Sequence, residues 1–166
     1  MKAVLFGKRI DNTNIGKLIL FINKLKEYRQ MEFCYHSSFY NLVKEFWQNL
    51  PDGNVFDTFE QLPADTDIFL SLGGDGTFLE SLTVVRDRNI PIAGINFGRL
   101  GFLTTACVEE NNPWIENLVS GDYTIEERTL LHLEKAVFFL FHHTPSPAER
   151  QGRNGVGYPA FHLSFH

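Results

Sequence analysis

The chain has 166 residues, 43% of them apolar and 21% charged, with a formal net charge of −5. That is one domain's length with enough apolar material for a sizeable core, and it lacks the composition of a disordered chain. The acidic balance and the lack of Lys/Arg clusters interleaved with aromatics exclude a protein that tracks nucleic-acid phosphates, and no apolar run approaches the ~18 residues of a membrane span.

In chain order, "KAVLFG" (Lys2 to Gly7) reads as a short buried strand. Charge returns at Lys8, so the N-terminal apolar run is too short for a signal peptide. In "NTNIGKLILFINKLKEYRQ", Ile15, Leu18, Ile19, Ile22 and Leu25 recur at helical spacing, with Asn12 or Thr13 as the expected cap. "MEFCYH" (Met31 to His36) is a second strand. "SFYNLVKEFWQNL" then places Phe39, Leu42, Val43, Phe46 and Leu50 on one helical face. "PDGNVFDTFEQLPADTD" reads as a turn-rich acidic connection. "IFLSL" is a third strand, "GTFLESLTVVRDRN" a helix and "IPIAGI" a fourth strand. This alternation predicts an α/β fold, a Rossmann-like parallel sheet flanked by helices, with ligands beyond the carboxyl ends of the strands.

Further on, "EENNPWIENLVSG" predicts a short helix stopped by Gly121, and "DYTIEERTLLHLE" (Asp122 to Glu134) alternates like a half-exposed strand. Residues 1–134 read as the α/β domain, with 122–134 as the start of a crossover. Residues 135–166 differ: Glu149 is their one acidic residue, while they carry four of the six histidines and three of the seven prolines. No helix or strand period is legible there, and the segment reads as a loosely ordered tail or the product of an altered reading frame. His142 and His143 have no metal-ligand spacing around them. Cys34 and Cys107, far apart and without CxxC spacing, read as buried thiols of a reducing cytoplasm.

Two loops carry the chemistry. "GGDGTF" places Gly73, Gly74 and Gly76 around Asp75, followed by Thr77 and Phe78, between a strand and a helix. Glycines expose backbone N–H groups without a Cβ in the way, and at a helix N-terminus those groups form an anion site suited to phosphate. The same turn without a ligand needs flexible residues and an aspartate cap. Neither a Walker A loop nor a GxGxxG fingerprint is present. Asp75 is either a group that accepts a hydrogen bond from a substrate hydroxyl, aligns it and takes its proton late, or a metal contact. In "GINFGRLGFL" (Gly94 to Leu103), Gly98 and Gly101 bracket Arg99 and Leu100, and Phe102 adds an aromatic face. Arg99 is a candidate counter-charge for phosphate or a solvated cation, and Phe102 is either a ligand-facing ring or a core residue.

Together these loops resemble the NAD kinase family over about Lys2 to Glu134: GGDG at Gly73 to Gly76, "NFGRLGFL" matching the family's N-x-G-x-L-G-F segment from Asn96 to Phe102, and "YTIEERTLL". GGDG alone is shared with diacylglycerol, sphingosine and phosphofructokinase relatives, but lipid kinases are expected to show a G-T-x-N-D-F-type segment where Asn96 to Phe102 stands. The resemblance implies transfer of the ATP γ-phosphate to the 2′-hydroxyl of the adenosine ribose of NAD, giving NADP, with a divalent metal such as Mg²⁺. It implies Asp75 as the catalytic aspartate, and nucleotide contacts from Gly73, Gly74, Asp75, Gly76, Thr77, Phe78, Asn96, Gly98, Gly101 and Phe102. It further implies NAD and ATP as small-molecule partners, no nucleic acid or membrane, a cytoplasmic location, and homo-oligomeric full-length members with a β-rich C-terminal domain. The family's Asn-Glu or Asn-Asp pair has no counterpart after Glu134, so little or no activity is expected of the isolated chain. The strand "YTIEERTLLHLE" is expected to lack partners. The alternatives are a lipid kinase sharing only GGDG and a non-catalytic nucleotide-binding module.

Overall fold

The computed structural model describes residues 1–98, 101–104, 106–107, 113–131 and 157–164. Five strands, β1 (Lys2–Phe6), β2 (Glu32–His36), β3 (Gly53–Phe56), β4 (Ile68–Leu72) and β5 (Ile92–Asn96), form a parallel sheet in the order β3-β2-β1-β4-β5. Val4 lies between Cys34 and Phe69, and Leu70 is in register with Ala93. A parallel sheet has helices on both faces, so its central strands are apolar without alternation; all five residues of β4 are buried.

On one face lie α1 (Ile15–Lys26), α2 (Ser37–Lys44) and α4 (Trp114–Ser120). Leu18, Phe21, Ile22 and Leu25 of α1 form one core with Leu5, Leu70, Ile95, Phe39 and Trp114. The Phe21 ring stacks on Trp114 with centroids 5.1 Å apart, which docks α4 onto α1. On the other face α3 (Asp75–Val85) sets Phe78 and Val85 against Val4, Phe69 and Ile92. The chain moves outward from β1 to β2 and β3, then returns to β4 on β1's other side. Strand order therefore reverses between β1 and β4, where open α/β sheets form a ligand crevice beyond the strand ends.

Several local expectations change. Asp11, rather than Asn12 or Thr13, accepts a hydrogen bond from the Thr13 N–H, and a 3-10 turn over Asn12–Asn14 precedes α1. Helix α2 stops at Lys44 instead of reaching Leu50. The Gln48 side-chain amide donates to the Lys44 carbonyl at 3.0 Å and so occupies an acceptor of the next turn. The stretch read as a connection after Leu50 contains the edge strand β3; only its Phe56 is buried, so no apolar alternation marks it. Gly121 ends α4 in the left-handed conformation (φ 79°), as expected of a helix stop.

Beyond β5, a two-residue strand β6 (Ala106–Cys107) pairs with it. Strand β7 (Thr124–Leu131) runs antiparallel to β8 (Gly157–Ser164) along its whole length, and β8 pairs with β5. Two expectations are corrected here: β7 has a partner, and a strand exists after residue 134. Pro159 within that run argues against a strand on local grounds, whereas pairing with β7 supplies what local sequence does not. Residues 132–156, with His142 and His143, lie outside the described residues, as does the Cys107 side chain. Cys34 is free and buried, and burial pushes its thiol pKa up. Among the described residues no helix is long and apolar enough to cross a membrane.

Truncating the stacked ring tests this packing. Phe21→Ala removes a fully enclosed aromatic and is expected to cost about 3–5 kcal/mol, seen as a lower urea midpoint with an unchanged slope.

Candidate active site

Both glycine loops emerge at the carboxyl ends of neighbouring strands, one between β4 and α3 and the other after β5. The first begins at Gly73, whose N–H donates to the Ile95 carbonyl at 2.8 Å, binding one loop's start to the other strand. Gly73 has a φ of 154°, and a Cβ there would lie 2.9 Å from the Thr77 Cβ, so only glycine fits this turn. Gly74 is the residue before the helix and provides no side-chain cap. Gly76 is exposed in the first turn of α3, with Thr77 half-buried beside it.

Asp75 is the first residue of α3, and its carboxylate does not cap that helix. It reaches across to the second loop. Its Oδ2 accepts from the Phe102 N–H at 2.8 Å. Its Oδ1 accepts from the N–H groups of Leu103 (3.0 Å) and Thr104 (3.1 Å) and from the Thr104 hydroxyl (3.1 Å). The Thr104 Oγ1 in turn accepts from the Gly101 N–H at 3.2 Å. Donors aimed at a carboxylate favour its charged form. The Phe102 N–H and its neighbours therefore hold the Asp75 carboxyl below its ordinary pKa, against the opposing effect of desolvation.

Gly101 makes this approach possible: a Cβ there would stand 2.6 Å from the Asp75 Cγ and 2.7 Å from the Thr104 Oγ1. The Asn96 Oδ1 accepts from the Gly98 N–H at 3.0 Å and turns the chain out of β5. Phe97 is buried, and its carbonyl accepts from the Lys17 Nζ of α1 at 3.1 Å. Arg99 and Leu100 lie outside the described residues.

The structure thus brings Gly73, Gly74, Asp75, Gly76, Thr77, Asn96, Gly98, Gly101 and Phe102 to one end of the sheet. Phe78 departs from this set. Its side chain is 5% exposed and lies in the core under α3, where it supports the helix. Phe102 is the opposite case, 87% exposed with its N–H engaged by Asp75. The core alternative for this ring therefore fails. Thr104 and Lys17 escaped the sequence reading. "GFLT" shows a threonine after the motif, but nothing local says that its hydroxyl turns back to a residue 29 positions earlier.

Residues 22–123 match the family model described as the ATP-NAD kinase N-terminal domain. The chain is 42% identical over 135 residues to an NAD kinase of Cytophaga hutchinsonii, covering 80% of this chain and 45% of that protein. It is 40% identical over 134 residues to an NAD kinase of Bacteroides fragilis, with the same two coverages. The chain therefore spans about half the length of the curated relatives it matches. A crystal structure of yeast NADH kinase complexed with NADH is similar in fold, with a TM-score of 0.60 at 17% identity over 96% of this chain and 46% of that one.

Two substitutions test the linkage between the loops. Gly101→Ala places a methyl group against the Asp75 carboxylate and is expected to speed amide hydrogen exchange at residues 102–104, measured by NMR. Asp75→Asn removes a group whose folded pKa is depressed, so the stability it contributes is present above the ordinary aspartate value of about 3.9 and is lost as pH falls through the lower folded value. Thermal melts of wild type and Asp75→Asn are therefore expected to differ at neutral pH and to converge on acidification below about pH 4.

Proposed function

Because this chain belongs to the NAD kinase family, we propose that it carries the catalytic loops of an ATP-dependent NAD kinase, which transfers the γ-phosphate of ATP to the 2′-hydroxyl of the adenosine ribose of NAD. The observation that supports this most is the ionised Asp75 carboxylate, held at the carboxyl ends of β4 and β5 by the N–H groups of the second loop. A fixed anion at a glycine turn that opens a helix suits a reaction that joins a sugar hydroxyl to a phosphate. The yeast kinase that shares the fold was crystallised with NADH, which is consistent with a nicotinamide dinucleotide as acceptor.

In this reading Asp75 accepts a hydrogen bond from the 2′-hydroxyl and aims its oxygen at Pγ. The O–Pγ bond forms as the bond from Pγ to the bridging oxygen of ADP breaks, and ADP leaves. A carboxylate with a depressed pKa is a weak base, so the proton reaches it late, when the phosphorylated oxygen has become strongly acidic; a loose phosphoryl-transfer transition state tolerates this timing. The start of α3, where Gly76 is exposed, would face donor phosphate, and the exposed Phe102 ring offers a surface for a nucleotide base.

Among the described residues no group of three or more His, Cys, Asp or Glu side chains is placed to hold a metal ion, and both Asp75 oxygens accept from the loop. A divalent ion such as Mg²⁺ fits this arrangement as a companion of the donor's phosphates, whose charge it neutralises. Production of NADP, a cytoplasmic location and homo-oligomeric assembly of the whole protein belong to the same proposal. Residues 1–134 are its α/β domain, to whose sheet β8 (Gly157–Ser164) adds a strand beside β5 and β7. The GGDG-sharing lipid kinases are disfavoured because Asn96–Phe102 follows the other motif.

A coupled assay with an NADP-specific dehydrogenase tests this reading on the chain supplied with NAD, ATP and Mg²⁺. Whatever NADP forms is expected to fall about 10²–10⁴-fold in Asp75→Ala. Undiminished turnover in that variant, or phosphorylation of diacylglycerol in place of NAD, overturns the proposal. Calorimetric titration with NAD and ATP separates a binding module from an enzyme, since binding without any NADP formation favours the former.

A further inference from the structure

The two oxygens of Asp75 are not equivalent, and Thr104 is what distinguishes them. A carboxylate has about four lone-pair sites, two on each oxygen. Among the described residues Oδ1 accepts three hydrogen bonds, from the Leu103 N–H, the Thr104 N–H and the Thr104 hydroxyl. Oδ2 accepts one, from the Phe102 N–H. Thr104 is fully buried. Its hydroxyl accepts from the Gly101 N–H while its proton points at Oδ1, so the orientation of that proton is set by the backbone. Gly101 and Thr104 thus form a closed turn around Oδ1, leaving Oδ2 on the side of the exposed Phe102.

We propose that Thr104 is a positioning residue for the phosphoryl transfer: its hydroxyl commits Asp75 Oδ1 to the loop and so assigns Oδ2 as the atom that receives the substrate hydroxyl. This rests on the kinase reading above and deepens it by naming the oxygen and the residue that selects it. With Oδ1 saturated, a substrate O–H has one carboxylate lone pair to approach, and the carboxylate cannot rotate about Cβ–Cγ to offer the other oxygen without breaking three hydrogen bonds. The 2′-oxygen is thereby given one direction of approach, which is the geometric constraint that an intramolecular-like reaction needs. The hydroxyl also contributes to the low basicity of Asp75, whose largest cause is the Phe102 N–H. No charged side chain is among the causes of that shift. Among the described residues, Lys17 donates to the Phe97 carbonyl and Glu80 of α3 pairs with Lys8.

The test uses the full chain with Thr104→Val and Thr104→Ala, which remove the hydroxyl, and Thr104→Ser, which keeps it. The first readout is the titration of the Asp75 carboxyl carbon by NMR, which requires no turnover. Both hydroxyl-free variants are expected to move its midpoint to higher pH, and Thr104→Ser to leave it in place. A folded hydroxyl-free variant that keeps the wild-type midpoint overturns the proposal, because a threonine that only fills space does not touch this titration. The second readout is the NADP assay. Thr104→Val is expected to lower kcat roughly tenfold to a hundredfold, the loss of one hydrogen bond to a charged group, with a smaller change in KM for NAD and an acid limb displaced upward. A rise in KM with kcat unchanged also overturns the assignment. Failure of the chain to bind NAD and ATP in calorimetric titration counts against the kinase reading, whereas the carbon titration still decides whether Thr104 governs Asp75.

Discussion

The carboxylate of Asp75 fastens together two loops that chain connectivity leaves 27 to 29 residues apart. Each loop leaves the sheet from its own strand, and β4 and β5 are neighbours because the parallel crossover through α3 returns the chain beside its starting point. The carboxylate gives the N–H groups of residues 102–104 one charged acceptor and acquires a fixed orientation from the same bonds. Loop order and the electrostatic state of the candidate catalytic group therefore have one cause.

The rest of the fold serves this arrangement by rigidity. Strand β4 is buried along its whole length, and α3 is held by Phe78 and Val85 in the core of one face. On the other face the Phe21–Trp114 stack and the Lys17 bond to the Phe97 carbonyl secure the base of the second loop. What remains exposed is informative against that background. Phe102 is exposed, and its N–H is the one donor to the Asp75 Oδ2 among the described residues.

Much of this was legible in advance, for reasons that differ between elements. "IFLSL" is a continuous apolar run that only a strand covered on both faces explains, and its observed limits, Ile68–Leu72, coincide with the run. Strand β3 was missed because an edge strand with one buried residue leaves no periodic trace. Strand β8 was missed because Pro159 counts against a strand locally, while pairing with β7 and β5 is a non-local fact. Among site residues, glycine spacing pointed to Gly73 and Gly101. The sequence could not distinguish Phe78 from Phe102, since both are phenylalanines beside a glycine motif.

The sequence by itself determined the types of the buried strands and the helices between them, the placement of two glycine loops after two strands, and the family to which their motifs point, because these depend on periodicity and on residue types at short range. Only the tertiary structure decided that Phe78 is buried and Phe102 exposed, that Asp75 accepts from the opposite loop instead of capping its own helix, and that Thr104 turns its hydroxyl toward one carboxylate oxygen. The physical reason is that burial and hydrogen-bond partnership are properties of neighbours in space. The order of strands in the sheet, which no local pattern encodes, chooses those neighbours.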